Sequence, residues 1–405
     1  AVRALLEEAA AADGRYPLSD HLRLELEHGG GPGFAAITVV EGERLAGYAQ
    51  LATINGVRNI ELVVAPAFRD GTDIARRLLV HAIDIVAREG GGPVQWWAFD
   101  ATEADARDYA RKILHEAYED FMVNVLAIPV VCGRKTARER FAGATNTLTL
   151  EAMMGDGKAL QMGTSHELGQ NFARAFDITY LSATGTREYA WTTSWGTSTR
   201  MLGGLIMCHG DDNGLRVPPR LAPVQAYVMV VKAGDGTVEA ASKLRDALRD
   251  AGVRVTLDDR VDTPFGRRAV DAELKGFPVR IELGPRDLAA GNAVLVRRRD
   301  GAKTPVPLTE VVGAVVAALD ADQRALYEEA LARREAATVD VSTVEEAIEA
   351  AATGWARVPW AAVGPEGEAR ANESAVTVRC LVRPDGSVPD SEDEPDLVAV
   401  LARAY

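Results

Sequence analysis

Cysteine is scarce in this chain: Cys132, Cys208 and Cys380 are the three among 405 residues, far apart and odd in number. Neither a disulfide framework nor a four-cysteine zinc cluster can be built from them, so no metal is expected. No run of eighteen apolar residues and no leader-like charged, apolar and small-residue succession occurs. Those absences argue for a cytoplasmic chain without a membrane partner. Positive charge is also in deficit, 45 Lys and Arg against 59 Asp and Glu, for a net charge of −14. A nucleic-acid surface must then be a local patch, because phosphate contacts need positive charge where they form.

What is present is ordinary globular material, 47% apolar and 26% charged, enough for two to four domains. Small, polar and paired-glycine residues concentrate between Pro129 and Pro223. Within that stretch neither GxxxxGK[ST] nor a GxGxxG after a strand occurs, which removes support for the usual phosphate-loop and dinucleotide folds. Gln161-Met162-Gly163-Thr164-Ser165-His166 places a carboxamide, two hydroxyls and an imidazole at the end of an expected strand. Alternation along that strand puts Thr164 and His166 on one face, able to donate to and accept from a small ligand. A satisfied core histidine is the competing reading. Trp195 to Gly204, WGTSTRMLGG, sets Ser198 two residues before Arg200 and then a glycine pair. An arginine fork suits phosphate, and the glycines permit close backbone approach, although a surface arginine at a glycine-rich helix start explains the same residues.

The runs GRKTARERFAGATNTLTLEAMM, DGKALQMGTSHELGQNFARAFDI, TTSWGTSTRMLGGLIMCHGDDNGLRVPPRLAP and ELKGFPVRIELGPRDL resemble prolyl-tRNA synthetase, from about residue 102 to the end. The closing Ala402-Arg403-Ala404-Tyr405 resembles kin whose C-terminal extension finishes in tyrosine. The resemblance implies a class II aminoacyl-tRNA ligase that activates proline with ATP and Mg²⁺ on an antiparallel sheet and charges tRNA(Pro). By it, Gln161 and Thr164 contact ATP, His166 lines the proline pocket, and Ser198 and Arg200 belong to the third class II motif, with Arg200 against the phosphates. Relatives often bind zinc in the C-terminal domain through four cysteines, of which Cys380 alone would remain. The family's first motif, which forms its homodimer, its Thr-x-Glu proline loop and its second motif with an arginine clamp have no counterpart in residues 1–104. Ligation by this chain is therefore expected to be impaired, with non-catalytic tRNA binding as the alternative.

Residues 1–104 read differently: a helix, strands in FAAITVVEGERLAGYAQLATING and NIELVVAPAFRDG, a long helix in DIARRLLVHAIDIVAREGGG, and a strand from PVQWW. That order resembles the N-terminal half of mycothiol synthase, in the GNAT acyltransferase superfamily. GNAT members hold CoA pyrophosphate at R-x-x-G-x-G/A. Here Arg69 is followed by Asp70, with Thr72 and Ile74 at the glycine positions and Asp73 adding negative charge. Acyl transfer is the least favoured reading.

The expected architecture is thus α/β and α+β multidomain. A partial GNAT-like sheet (1–104) is followed by a truncated antiparallel class II core (105–221), an anticodon-binding α/β domain (222–318) and a small C-terminal α+β domain (319–405). The core opens with an amphipathic helix at 105–126 carrying Tyr109, Ile113, Ala117, Phe121 and Val125 on one stripe, and its missing strands are expected from upstream. In the third domain Glu273 and Lys275 are the candidate readers of anticodon base edges, and Arg260, Arg267, Arg268, Arg280, Arg286 and Arg297 to Arg299 the phosphate contacts.

Overall fold

Short β-branched runs bounded by glycine become strands in the computed structural model, which describes residues 1–14, 16–31, 33–54, 56–69, 72–91, 94–96, 103–182, 185–234 and 236–405. Contacts divide the chain into two compact units, Ala1–Thr102 with Asp177–Ala190, and Glu103–Phe176 with Trp191–Tyr405.

In the first unit, α1 (Val2–Asp13) and α2 (Asp20–His28) precede β1 (Ala35–Glu41), β2 (Arg44–Ile54), β3 (Val57–Val64), α3 (Ile74–Arg88) and β4 (Val94–Trp96). The first three strands pair antiparallel, and β4 returns parallel to β3 through the α3 crossover. Ile74, Leu78, Ala82 and Val86 recur every four residues and bury one stripe of α3 against the sheet. On the opposite face Leu5, Leu6 and Ala9 of α1 pack with Tyr48, Ala52 and Val63. Two of the residues in question at the CoA turn, Asp70 and Gly71, lie outside the described residues, as does the end of the strand expected after Trp96. Arg69 is held bidentate by Asp13, at 2.5 and 2.8 Å, and Ile74 is buried.

The second unit begins with α4 (Glu103–Lys112), prolonged by two π-helical segments, Ile113–Glu119 and Phe121–Val125. The buried stripe is Ala106, Ala110, Leu114, Met122 and Leu126, with Phe121 exposed. The expected period of four holds, but its phase is one residue off. On a 3.6-residue helix a strict four-residue period drifts 40° per step; the wider π turns remove that drift.

The chain continues through β5 (Val130–Arg134), β6 (Asn146–Met153), β7 (Ala159–Gly169), α5 (Asn171–Ala175), the hairpin β8 (Thr179–Leu181) and β9 (Arg187–Tyr189) of the first unit, β10 (Thr192–Gly196) and α6 (Arg200–His209). A smaller α/β module follows: β11 (Ala226–Val230), α7 (Thr237–Asp250), β12 (Val255–Asp258), α8 (Phe265–Leu274), β13 (Val279–Leu283), α9 (Pro285–Ala289), β14 (Asn292–Arg297) and β15 (Lys303–Pro307). Its sheet order is β12-β11-β13-β14-β15, with the first three strands parallel. The helix α10 (Val311–Ala336) leads to β16 (Thr338–Asp340), α11 (Val344–Ala350), β17 (Trp355–Pro359), α12 (Trp360–Glu373), β18 (Thr377–Val382) and β19 (Val398–Ala402).

The larger sheet runs β10-β7-β6-β5-β18-β19-β17-β16. Strands were expected to reach the core from upstream; those that cover β5 come from the C-terminal segment, through the Leu381–Arg134 pairing. An uncovered β5 would leave a row of unpaired amides and carbonyls, and β18 meets that edge at its Arg134 end. The 318/319 division likewise falls inside α10, one continuous helix of 26 residues.

Candidate active site

β6 reads NTLTLEAM, and its alternation sorts the strand into two faces. Leu148, Leu150 and Ala152 join the apolar core beneath the π-helical segments. Thr147, Thr149 and Glu151 point the other way, and cross-strand pairing sets His166 opposite Thr147, Thr164 opposite Thr149 and Gln161 opposite Glu151. Strict alternation would have placed Gln161 and Thr164 on opposite faces, since they are three residues apart. A bulge opposite Leu150 and Glu151 inserts Met162 as the extra residue and brings all three to one face.

Hydrogen bonds lock this face. The His166 ring lies between two hydroxyls, Nδ1 at 2.9 Å from Thr147 Oγ1 and Nε2 at 3.0 Å from Thr164 Oγ1. Burial holds its pKa below the usual 6.5, so the ring is neutral at pH 7. The Phe141 ring sits beside it, centroids 4.9 Å apart. Gln161 Nε2 donates to Thr149 Oγ1 at 3.2 Å, and Thr149 donates onward to Glu151 Oε1 at 2.8 Å. Glu151 is fully buried, with Lys135 Nζ at 2.8 Å on one oxygen and Arg379 Nη2 and Nε at 2.8 and 3.0 Å on the other.

α6 begins at Arg200, whose backbone N–H donates to Ser198 Oγ at 3.2 Å, while its exposed guanidinium reaches the Gln161 carbonyl at 3.5 Å. Only one glycine of the pair serves close approach: a Cβ at Gly204 would stand 2.8 Å from Met162 Sδ and 3.2 Å from Leu160 Cδ2, so α6 packs directly on β7. Gly203 meets nothing nearer than 3.9 Å. The structure therefore brings Gln161, Thr164, His166, Ser198 and Arg200 together at β7 and the start of α6. Sequence reasoning missed Thr147, Thr149, Glu151, Lys135, Phe141 and Arg379. The period-two pattern Thr-Leu-Thr-Leu-Glu was a readable signal for three of them; Arg379 lies too far along the chain for any local signal.

Residues 225–318 match the family model described as anticodon binding domain. Proline–tRNA ligase of Frankia casuarinae is 51% identical over 427 aligned residues, covering 99% of this chain and 88% of the relative. Proline–tRNA ligase 2 of Streptomyces avermitilis is 60% identical over 334 residues, covering 82% and 70%. The crystal structure of prolyl-tRNA synthetase from Cryptosporidium parvum complexed with L-proline and AMP superposes with a TM-score of 0.68 at 29% identity, over 75% of this chain and 68% of that one. The chain belongs to the prolyl-tRNA synthetase family. Homology over nearly its whole length makes it an aminoacyl-tRNA ligase of the proline-specific kind. The Frankia match also carries the likeness to prolyl-tRNA synthetase into residues 1–104, where motifs alone suggested another family.

In this prolyl-tRNA synthetase relative the four candidate anticodon residues separate into two pairs. Glu273 and Lys275 close α8 at the amino ends of the parallel strands; Arg260 follows β12 and Arg286 lies in α9, both at the carboxyl ends. A five-residue strand, about 16 Å, stands between the pairs. Glu273 lines a cavity of about 280 Å³ with Arg298, Arg299 and Lys303. Lys275 pairs with Asp271 at 2.9 Å and Arg260 with Asp258 at 2.9 Å, each remaining well exposed. Arg268 and Arg280 cannot contact phosphate as expected, because both are buried. Arg268 donates to the Val230 and Thr263 carbonyls, and Arg280 to Glu282 and Glu273.

Proposed function

We propose that this chain binds ATP and proline on the face carrying Gln161, Thr164 and His166, with Arg200 against the phosphates, and passes the prolyl group to tRNA(Pro). The observation that supports this most is the β7 bulge, which aligns the three side chains beside Arg200. In the reaction a proline carboxylate oxygen attacks the α-phosphorus and pyrophosphate leaves; a tRNA ribose hydroxyl then displaces AMP. Arg200 suits the charge that grows on phosphate, and a neutral His166 ring beside Phe141 suits the small apolar body of proline. With one N–H donated to Thr149, the Gln161 side-chain amide leaves its Oε1 for a nucleotide donor.

Magnesium fits less well as a protein-held ion. The carboxylate that β6 places on this face, Glu151, is spent on Lys135 and Arg379, so the ion would enter with the nucleotide phosphates and water. Ligation is proposed to be impaired in this chain by itself, since losing a charged clamp of the second-motif kind costs several kcal/mol of transition-state binding. Residues 1–104 are read as a GNAT-like unit without acyl transfer: the β3-α3-β4 crossover supports the fold, while the Arg69–Asp13 pair and buried Ile74 argue against a CoA cradle. The domain limits 1–104, 105–221, 222–318 and 319–405, a cytoplasmic location and the family's homodimer belong to the same reading. No helix among the described residues is long and apolar enough to cross a membrane.

Proline-dependent ATP–pyrophosphate exchange on the purified chain, with and without His166→Ala, tests the proposal. Exchange that His166→Ala abolishes supports it. No exchange from a well-folded chain leaves tRNA binding through the module at residues 225–318 as the function, a reading that the match of that whole module favours.

A further inference from the structure

We propose that His115, Glu119 and Cys132 form a binding site for one zinc-type divalent ion, on a different part of the second unit from the β7 face. His115 and Glu119 stand four residues apart on the π-helical segment Ile113–Glu119, and Cys132 lies in the middle of β5. His115 Nδ1, a Glu119 carboxylate oxygen and Cys132 Sγ all lie within 4.8 Å of one another. Glu119 is the hub: His115 Nδ1 is 2.6 Å from its Oε2, and the Cys132 sulfur approaches the same carboxylate from β5. Three donors from two elements already converge.

The donor chemistry restricts the ion. Imidazole, carboxylate and thiolate suit Zn²⁺ or Co²⁺, whereas Mg²⁺ and Ca²⁺ prefer oxygen alone. A neutral imidazole, one carboxylate and one thiolate carry two negative charges, which a divalent ion balances. Neutrality matters here because Arg334 faces the same thiol, with its Nη1 bound to the Val130 carbonyl at 3.0 Å. Thiolate is the form that ligates, so binding at Cys132 releases the thiol proton. The three residues line a cavity of about 580 Å³ that Asp385 and Ser387 also border, with room for water as a fourth ligand. His115 and Glu119 are part exposed and Cys132 buried, so the ion has a path in and a dry floor.

The test uses the full chain, stripped with a chelator, titrated with Zn²⁺ or Co²⁺ and desalted. The expected result is one metal per chain by mass spectrometry, with tetrahedral cobalt bands and a sulfur-to-cobalt charge-transfer band. Cys132→Ser should remove the charge-transfer band, and Glu119→Gln, at a part-exposed position, should weaken affinity at least about tenfold, the lower range for disturbed metal sites. Cys208→Ala should change neither. Should Cys132→Ser fail to fold, the unmutated chain still decides: Zn²⁺ should slow alkylation of Cys132, mapped by peptide mass, at least about tenfold. Less than half a metal per chain, a cobalt spectrum without a sulfur band, or unaltered Cys132 alkylation would overturn the proposal and leave a proton-linked triad.

Discussion

Replacing Glu151 by glutamine preserves shape and one acceptor for Thr149 but removes the charge that Lys135 and Arg379 share. The two cations are 3% and 9% exposed and the carboxylate 0%, so water cannot replace the lost anion. Removing one partner of a buried ion pair costs about 3–5 kcal/mol. At about 1.6 °C per kcal/mol for a unit of about 290 residues, the melting temperature should fall by roughly 5–8 °C. Thermal unfolding followed by near-UV circular dichroism measures this, and the pH dependence checks its origin. Burial alone would raise the Glu151 carboxyl, but Lys135 and Arg379 outweigh it and hold the folded value below 4.5. The stabilisation is therefore complete above about pH 4.5 and is lost as pH falls through the lower folded value. Glu151→Gln should lack that acid-sensitive segment. A triple change of Glu151→Leu, Lys135→Met and Arg379→Leu should recover much of the loss, since apolar packing often equals a buried ion network. A Glu151→Gln protein within about 1 kcal/mol of the parent, with the same acid profile, would refute the argument.

Gly133→Ala should destabilise by about 1–3 kcal/mol, because its Cβ would sit 2.5 Å from Cys380 Cβ and 2.9 Å from the Leu381 carbonyl oxygen; urea denaturation reads the change. Burial pushes His209 down to about 4, against a backbone hydrogen bond from its ring to the Leu126 carbonyl region. Its contribution, about 3 kcal/mol, is present above pH 6.5 and lost as pH falls through 4; His209→Gln should flatten stability across that window. Lys275→Ala and Arg286→Ala, at opposite strand ends, should protect different parts of a bound tRNA in footprinting. Identical footprints would contradict the two-edge placement.

Much of the site was legible because its chemistry is local. Thr164 and His166 share a face by simple alternation, and Ser198 and Arg200 stand two residues apart at a helix start. Gln161 joins them only through the bulge at Met162, which no residue pattern announces. Arg379 and Lys135 are distant in sequence, and their meeting at Glu151 is a property of the β5–β18 joint. The four-residue period of the opening helix was readable, but its phase depended on π turns that periodicity cannot distinguish from α. The His115, Glu119 and Cys132 cluster leaves no cysteine-spacing signal, because its donors converge from a helix and a strand.

α10 gives the larger unit a common spine. Its first turns supply Val311, Val315 and Leu319 to the core of the α/β module, and further along Ala330 enters the core beneath β6 and β7. Arg333 and Arg334 then tie the same helix to the carbonyls of Cys208 and Val130. At 1.5 Å per residue it runs about 39 Å without a break. Loosening either core must fray or bend that rod, so the module at residues 225–318 and the large sheet should melt as one cooperative event, and hydrogen exchange along α10 should decay uniformly from end to end.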